Sequence, residues 1–355
     1  MEIHSKVRIK DIAERAGVST GTVDRVLHGR TSVSPLSREK VERALKDLNY
    51  VPNHYASALA SNKVYKIAAI LPMHEVDSYW ARVETGLADG LSRYSDFKLS
   101  YEIFRYDPFD DRSFEIQTQL LLDWNPFAVV IGPIFNYNIM SKFVDKLEMS
   151  EIPYGLIDSN WPEFSPIAFY GQDSIRSGEF AARIMLMAAA GSKTIALFKL
   201  MGEGRVASRQ QLNREVGFRK YMEEHSPKTQ IEVLNLYVYD KAGVQERLKT
   251  FFTDHPKISH GLTFNSSIHT IAQFLKTDMP KRKHVTLLGY DATDSNVECI
   301  KDGSVDFLIA QHPMRQGLNC IRTMINACVL RIEQNRDHYM AIDLLTKENI
   351  DFYKD

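Results

Sequence analysis

Ile9-Lys10-Asp11-Ile12-Ala13-Glu14-Arg15-Ala16-Gly17-Val18-Ser19-Thr20-Gly21-Thr22-Val23-Asp24-Arg25-Val26-Leu27 reads as two short helices joined by a tight turn. Ile9, Ile12, Ala13 and Ala16 recur at helical spacing and predict one buried face. Gly17 stands where a left-handed turn residue is wanted, and Ser19 is placed to cap the next helix. Val23, Val26 and Leu27 return that helix to the same small core. Its outward face is then Thr20, Gly21, Asp24 and Arg25, mostly small and carrying one long donor. Such a face fits a major groove, where an arginine can bond guanine O6 and N7.

The following residues extend the pattern. Ser34, Pro35 and Ser37 lead into an amphipathic stretch from Arg38 to Leu48, with Val41, Leu45 and Leu48 inward. Tyr50-Val51-Pro52-Asn53 and an alanine-rich segment containing Leu59 come next. With the Ile-Lys-Asp-Ile-Ala…Ala-Gly-Val-Ser…Thr-Val…Arg-Val-Leu run, this combination resembles the lactose-repressor (LacI/GalR) family of bacterial transcription factors. The resemblance implies contacts to operator DNA from Ser19, Thr20, Gly21, Thr22, Arg25 and His28. It also implies a hinge that becomes helical on DNA, and contacts to DNA from Asn53 and Ser57. Leu59 would then wedge into a minor-groove step, exchanging unstacking for a bend that permits more contact. Asp24 and Gly21 depart from the family pattern, so the operator sequence stays open.

Charge divides along the chain. Residues 1–63 hold 11 Lys+Arg against 7 Asp+Glu, a net of +4, while the whole chain is −1, leaving −5 on the remainder. Attraction to phosphate is thus concentrated at one end. At 355 residues and 44% hydrophobic content there is room for two or three domains with buried cores. No apolar run reaches membrane-spanning length, and Met1-Glu2-Ile3-His4-Ser5-Lys6 lacks the apolar stretch of a signal peptide; a cytoplasmic location is expected. Cys299, Cys320 and Cys328 lack CxxC spacing and are read as reduced thiols.

From Lys66 the chain alternates short apolar runs with amphipathic stretches. Strands are expected near Ile67–Leu71, Leu99–Phe104, Phe127–Ile131, Tyr154–Ile157, Thr194–Lys199, Ile231–Tyr239, Gly261–Thr263 and Val285–Leu288, with a last strand-like run at Tyr339–Leu344. This predicts parallel sheets covered on both faces, in two lobes with a cleft between. Ligands in such folds sit at the carboxyl ends of strands. Asp77, Tyr79, Trp80, Asp158 and Asn160 occupy such loops, where rings and short polar groups suit a sugar-like ligand. The family resemblance, here to its periplasmic-binding-protein type effector domain, adds Arg209, Arg214 and Asp291 as effector contacts. It also adds Asp173, Asn265 and Gln311, for which helix capping or lobe-to-lobe hydrogen bonding is an equal reading.

Other chemistry finds little support. Gly202-x-Gly204-x-x-Ala207 looks like a dinucleotide fingerprint, but the acidic residue Asp240 comes 36 positions after Gly204 instead of about 20. No nucleophile elbow, His-Glu-x-x-His helix or phosphate-binding loop occurs, and Asp110-Asp111 is expected in a solvated loop. The expectation is therefore an all-α helix-turn-helix domain (1–50), a hinge and linker (51–65) and a two-lobed α/β effector domain (66–355). The lobes are approximately 66–165 and 190–310, joined by crossover segments. The chain is expected to be a DNA-binding regulator, a repressor, controlled by a sugar or sugar acid. No cofactor, metal or catalytic residue is assigned. It is expected to act as a homodimer, since no leucine heptad tail is seen. The rival reading is a cytoplasmic sugar-binding protein or enzyme on the same α/β fold.

Overall fold

The computed structural model describes residues 7–27, 30, 32–48, 50, 54–60, 63–189, 194–202, 204–206, 208–237 and 240–355. They fall into two compact units, Met1–Ser57 and Ala58–Asp355.

The first unit contains α1 (Ile9–Ala16), α2 (Thr20–Leu27) and α3 (Pro35–Asp47). Gly17 stops α1 with φ 64°, and the Val18 amide turns back to the Ala13 carbonyl at 3.0 Å. A residue with a Cβ resists that left-handed conformation, so the glycine sets the angle between α1 and α2. The Ser19 hydroxyl accepts from the Thr22 amide at 3.2 Å and caps α2. Ile12, Ala13, Ala16, Val23, Val26, Val41 and Ala44 form the core, and Arg15 of α1 pairs with Asp47 of α3 at 2.9 Å. Ile9, expected inward, is 37% exposed. The third helix starts at Pro35, earlier than expected, because the Ser34 hydroxyl accepts from the Ser37 amide and proline suits the first helical turn. A short α4 (His54–Ala60) follows.

The second unit alternates strand and helix: β1 (Tyr65–Pro72), α5 (Tyr79–Ser92), β2 (Leu99–Tyr106), α6 (Asp111–Asp123), β3 (Ala128–Ile131), α7 (Tyr137–Met149), β4 (Tyr154–Ile157) and β5 (Ala168–Gly171). The chain then crosses into α8 (Ser174–Ala188), β6 (Thr194–Met201), α9 (Arg209–His225), β7 (Gln230–Tyr237), α10 (Lys241–Asp254), β8 (His260–Thr263), α11 (Ile268–Asp278), β9 (Thr286–Tyr290), α12 (Asp294–Asp302) and β10 (Phe307–Ala310). It returns through α13 (Pro313–Cys328) and β11 (Asp337–Tyr339), and crosses again to β12 (Asp343–Leu345).

Two six-stranded sheets result, ordered β11-β5-β4-β3-β1-β2 and β12-β10-β9-β8-β6-β7. Every pairing is parallel except β10 with β12. The central strands of each sheet are buried on both faces, which is why they are continuous apolar runs, whereas the edge strands β2, β7 and β11 are partly exposed and carry polar residues. The strand orders correspond position by position, so β4 and β9 are equivalent. In each lobe the helix that enters from the other lobe packs on the first helix of its new home, α13 on α5 and α8 on α9. Glycines permit this: a Cβ on Gly86 would strike the Met314 carbonyl, and one on Gly178 the Arg214 carbonyl.

Three crossovers join the lobes, and Gln172 ties them together. Its amide nitrogen donates to the carbonyls of Ala310 and Ala341, each at 2.7 Å. The run expected as a single strand at Tyr339–Leu344 is instead β11 and β12 in different sheets, with the third crossover between them. Apolar character alone does not say which sheet a short run joins. The expectation also passed over β5, β10, α12 and α13 as elements.

Candidate functional site

Two surfaces are candidates for function. On the first unit, Ser19, Thr20, Gly21 and Arg25 are exposed and Thr22 is partly so, all at the start of α2 or on its outer side. Val23 and Val26 hold the opposite side in the core. Leu59 is 44% exposed, next to Ala58, which is buried in the second unit. His28, Asn53 and the side chain of Ser57 lie outside the described residues.

The second surface is a cavity of about 860 Å³ between the lobes of the larger unit. Of the residues expected to face an effector, Tyr79, Trp80, Asp158, Arg214, Asn265, Asp291 and Gln311 line it. Asp158 ends β4 and Asp291 ends β9, the equivalent strands of the two lobes. Both adopt a left-handed backbone, φ 73° and 65°, uncommon for a residue with a side chain. Asn296 holds the Asp291 turn: its amide nitrogen donates to the carbonyls of Ser266, Tyr290 and Asp291 at 2.9–3.0 Å.

Beneath these carboxylates lies a buried polar network. The Arg214 guanidinium stacks 4.0 Å over the Tyr290 ring and donates to the Phe264 carbonyl at 2.9 Å. It also donates to the side-chain oxygens of Gln210, at 2.6 Å, and Gln311. The Gln311 amide nitrogen donates to both Asp291 oxygens at 2.9 and 3.0 Å, and Gln210 reaches the Asp158 carbonyl in the other lobe at 2.5 Å. Tyr79 donates to Gln316 at 2.8 Å, and Gln316 in turn to the Gln311 carbonyl at 2.8 Å. Strand ends, crossover and both lobes therefore share one network. Burial pushes the Asp291 carboxyl up to about 7, against the pull of Arg214. Burial raises Asp158 as well, again opposed by Arg214.

Four expected residues stand off the cavity lining. Asp173 caps α8, accepting from the Arg176 amide at 3.0 Å. Arg209 lies 4.2 Å over the Trp161 ring, and the Asn160 side-chain oxygen is buried without a protein partner. Asp77 is engaged by α12, accepting from the amides of Asp294 and Ser295 at 2.7 and 2.8 Å.

Sequence reasoning passed over His74, Glu75, Ser78, Asp107, Phe109, Pro133, Ser208, Gln211, Phe264, Ser266 and Ser267, which also line the cavity. Several occupy the very strand-end loops already singled out, so loop position was a usable signal. Asp110-Asp111 is not a free solvated pair: Asp110 caps α6 through the Arg112 amide, and Asp111 pairs with Arg205 at 2.7 Å. Gly202 lies against the Phe109 ring, so close approach of backbone to an aromatic, not to a nucleotide, accounts for the first glycine of that motif. Among the described residues no cluster of His, Cys, Asp or Glu is arranged for a metal, and no helix is long and apolar enough to cross a membrane.

Comparison with known proteins matches a family to a stretch of each unit. The family described as bacterial regulatory proteins, lacI family, matches residues 8–53, and the periplasmic binding protein domain matches residues 67–329. The HTH-type transcriptional regulator DegA of Bacillus subtilis (strain 168) is 29% identical over 62% of this chain and 61% of its own. Catabolite control protein A of Staphylococcus xylosus is 38% identical over 43% of this chain and 44% of its own. The aligned region thus spans less than two thirds of either relative. A crystal structure assigned to the LacI transcriptional regulators, from Bacteroides fragilis, superposes with a TM-score of 0.79 at 40% identity, covering 82% of this chain and 100% of that one.

Proposed function

The chain belongs to the lacI family of bacterial regulatory proteins, and on that premise we propose that it is a transcriptional repressor released or tightened on its operator by a sugar. In this reading two copies present two α2 faces to a roughly palindromic site, as dimeric helix-turn-helix proteins do. Ser19, Thr20, Gly21, Thr22 and Arg25 meet the major groove, with His28 beside them. Asn53, Ser57 and Leu59 act at the minor groove. Its relatives are regulators, not enzymes.

The observation that carries the effector half is the Asp291–Gln311–Arg214 network. A hydroxyl that bonds the Asp291 carboxylate would act on a group already held by the Gln311 amide, and Gln311 is part of a crossover between the lobes. Binding is thereby coupled to lobe geometry, and such couplings are typically worth about 1–3 kcal/mol. The charge balance favours an uncharged sugar over the sugar acid also considered. Glu75, Asp107, Asp158 and Asp291 face the cavity, whereas both terminal nitrogens of Arg214 already donate to protein oxygens and only its buried Nε has no protein partner. Trp80, Phe109 and Phe264 supply flat apolar surface for sugar C–H faces.

The test is thermal stabilisation against pentoses, hexoses and their uronic acids and phosphates, since a ligand of the folded state raises the melting temperature with dose. A neutral sugar should shift it, and Arg214→Ala or Asp291→Ala should abolish the shift. Stabilisation by uronic acids or phosphates alone would overturn the charge argument. Operator fragments selected with the purified protein should be lost by Arg25→Ala without any change in the sugar response. Sedimentation showing a stable tetramer or a monomer at micromolar concentration would reject the dimer.

A further inference from the structure

The helix α12 begins with a full accounting of its amide donors, and part of that accounting comes from the opposite lobe. Thr293 caps it locally: its hydroxyl accepts from the Asn296 amide at 3.4 Å and its carbonyl from the Val297 amide at 2.8 Å. The amides of Asp294 and Ser295 go instead to Asp77, one to each carboxylate oxygen, at 2.7 and 2.8 Å. Asp77 sits in the loop after β1, in the first lobe, whereas α12 belongs to the core of the second. Beside it, Arg82 of α5 pairs with the Asp294 carboxylate at 2.9 Å. A carboxylate at a helix start is favoured by both the orphan donors and the helix dipole. Burial by itself would raise the Asp77 carboxyl, yet these amides and Arg82 hold it below the usual carboxylate range.

A second bridge crosses elsewhere between the lobes. Arg205, after β6, pairs with Asp111 at the start of α6 at 2.7 Å, and the Asn136 amide nitrogen donates to the other Asp111 oxygen at 2.6 Å. The Asp77 bridge differs in geometry: two consecutive backbone amides donate charge-assisted bonds to one carboxylate. A separation of the lobes by a couple of ångströms breaks both together, because such bonds weaken steeply beyond about 3.2 Å.

We infer that Asp77, with Arg82 and Asp294, is an interlobe latch: a cross-cleft helix cap that sets how far the two lobes stand apart and so how readily the cleft takes and keeps its ligand. Asp77 lies just before α5, whose first turn supplies Tyr79 and Trp80 to the cavity wall, so latching and wall position change together. The link to ligand affinity rests on the cleft being the effector site. The latch itself does not.

The experiment therefore uses the full-length protein with no sugar added. Amide exchange is resolved by fragmentation at Asp294 and Ser295 in wild type, Asp77→Ala and Asp77→Asn. Removing a cap is expected to speed exchange at these two amides about fivefold. The asparagine variant, with one acceptor oxygen, should fall between. The start of α10, capped by Asp240 within its own lobe, should not change.

In parallel, spin labels at Asp89→Cys on α5 and Lys249→Cys on α10, with Cys328→Ser, report the distance between lobes by pulsed electron resonance. The Asp77→Ala distribution should shift and broaden relative to wild type. Unchanged exchange in α12 would overturn the inference. So would faster α12 exchange with an unchanged distance distribution, which would reduce Asp77 to a helix cap. A cleft that binds no sugar would leave these readouts intact and defeat only the effector reading.

Discussion

Asp291 shows how much one side chain can carry. It holds a left-handed backbone at the end of β9, its carboxylate is buried, and that carboxyl is pushed up to about 7. The unfolded chain ionises the same group near 3.8. Between those values the unfolded state has lost the proton that the folded state keeps, so stability falls as pH rises, by at most about 1.4 kcal/mol per pH unit. An asparagine there has no such loss. The melting temperature of Asp291→Asn minus that of wild type should therefore rise from pH 5 to pH 8, whatever its value at pH 5. A flat difference would place the titration elsewhere. Asn296 is the supporting partner. Asn296→Ala strands three carbonyls around the turn and should cost roughly 2–4 kcal/mol by urea denaturation. A loss below about 1 kcal/mol would mean the turn holds itself.

Elements explain what single residues do not. α8 and α9 approach so closely that Gly178 has the Arg214 carbonyl where a Cβ would be. Gly178→Val should cost at least about 2 kcal/mol, since the obstacle is backbone and cannot rotate away. An unchanged urea midpoint would sink that account. Asp173 at the start of α8 was equally readable as a cap or as a ligand contact, and its side chain accepts from the Arg176 amide. Asp173→Ala is expected to lose about 1 kcal/mol of stability and to leave any sugar-induced stabilisation intact. Loss of the sugar response at unchanged stability would restore the contact reading.

At the scale of the whole molecule, the two units differ sharply in core size. The small one rests on a single cluster of short side chains, whereas the large one has an apolar layer on each face of two sheets. Small cores give marginal stability. Calorimetry should show two transitions, with the second unit absorbing about five times the heat of the first, in proportion to length. A single cooperative transition would mean that the units depend on one another for folding.

The helix-turn-helix, the alternation of strands and helices, and part of the cavity wall were legible in the sequence. Their causes are local: a glycine that ends α1, a serine that caps α2, the helical apolar periodicity, short continuous apolar runs, and loop positions at strand ends. What the tertiary structure alone decided is where partners distant in the chain come to lie. Asp77 and Ser295 look like unrelated loop residues until the lobes face each other, and Asp110-Asp111 looks solvated until Arg205 arrives from another lobe. The run from Tyr339 to Leu344 looks like one strand until two sheets compete for it. Local pattern selects the element and its buried face, but pairing a donor with an acceptor across a cleft depends on topology, which no stretch of the chain encodes by itself.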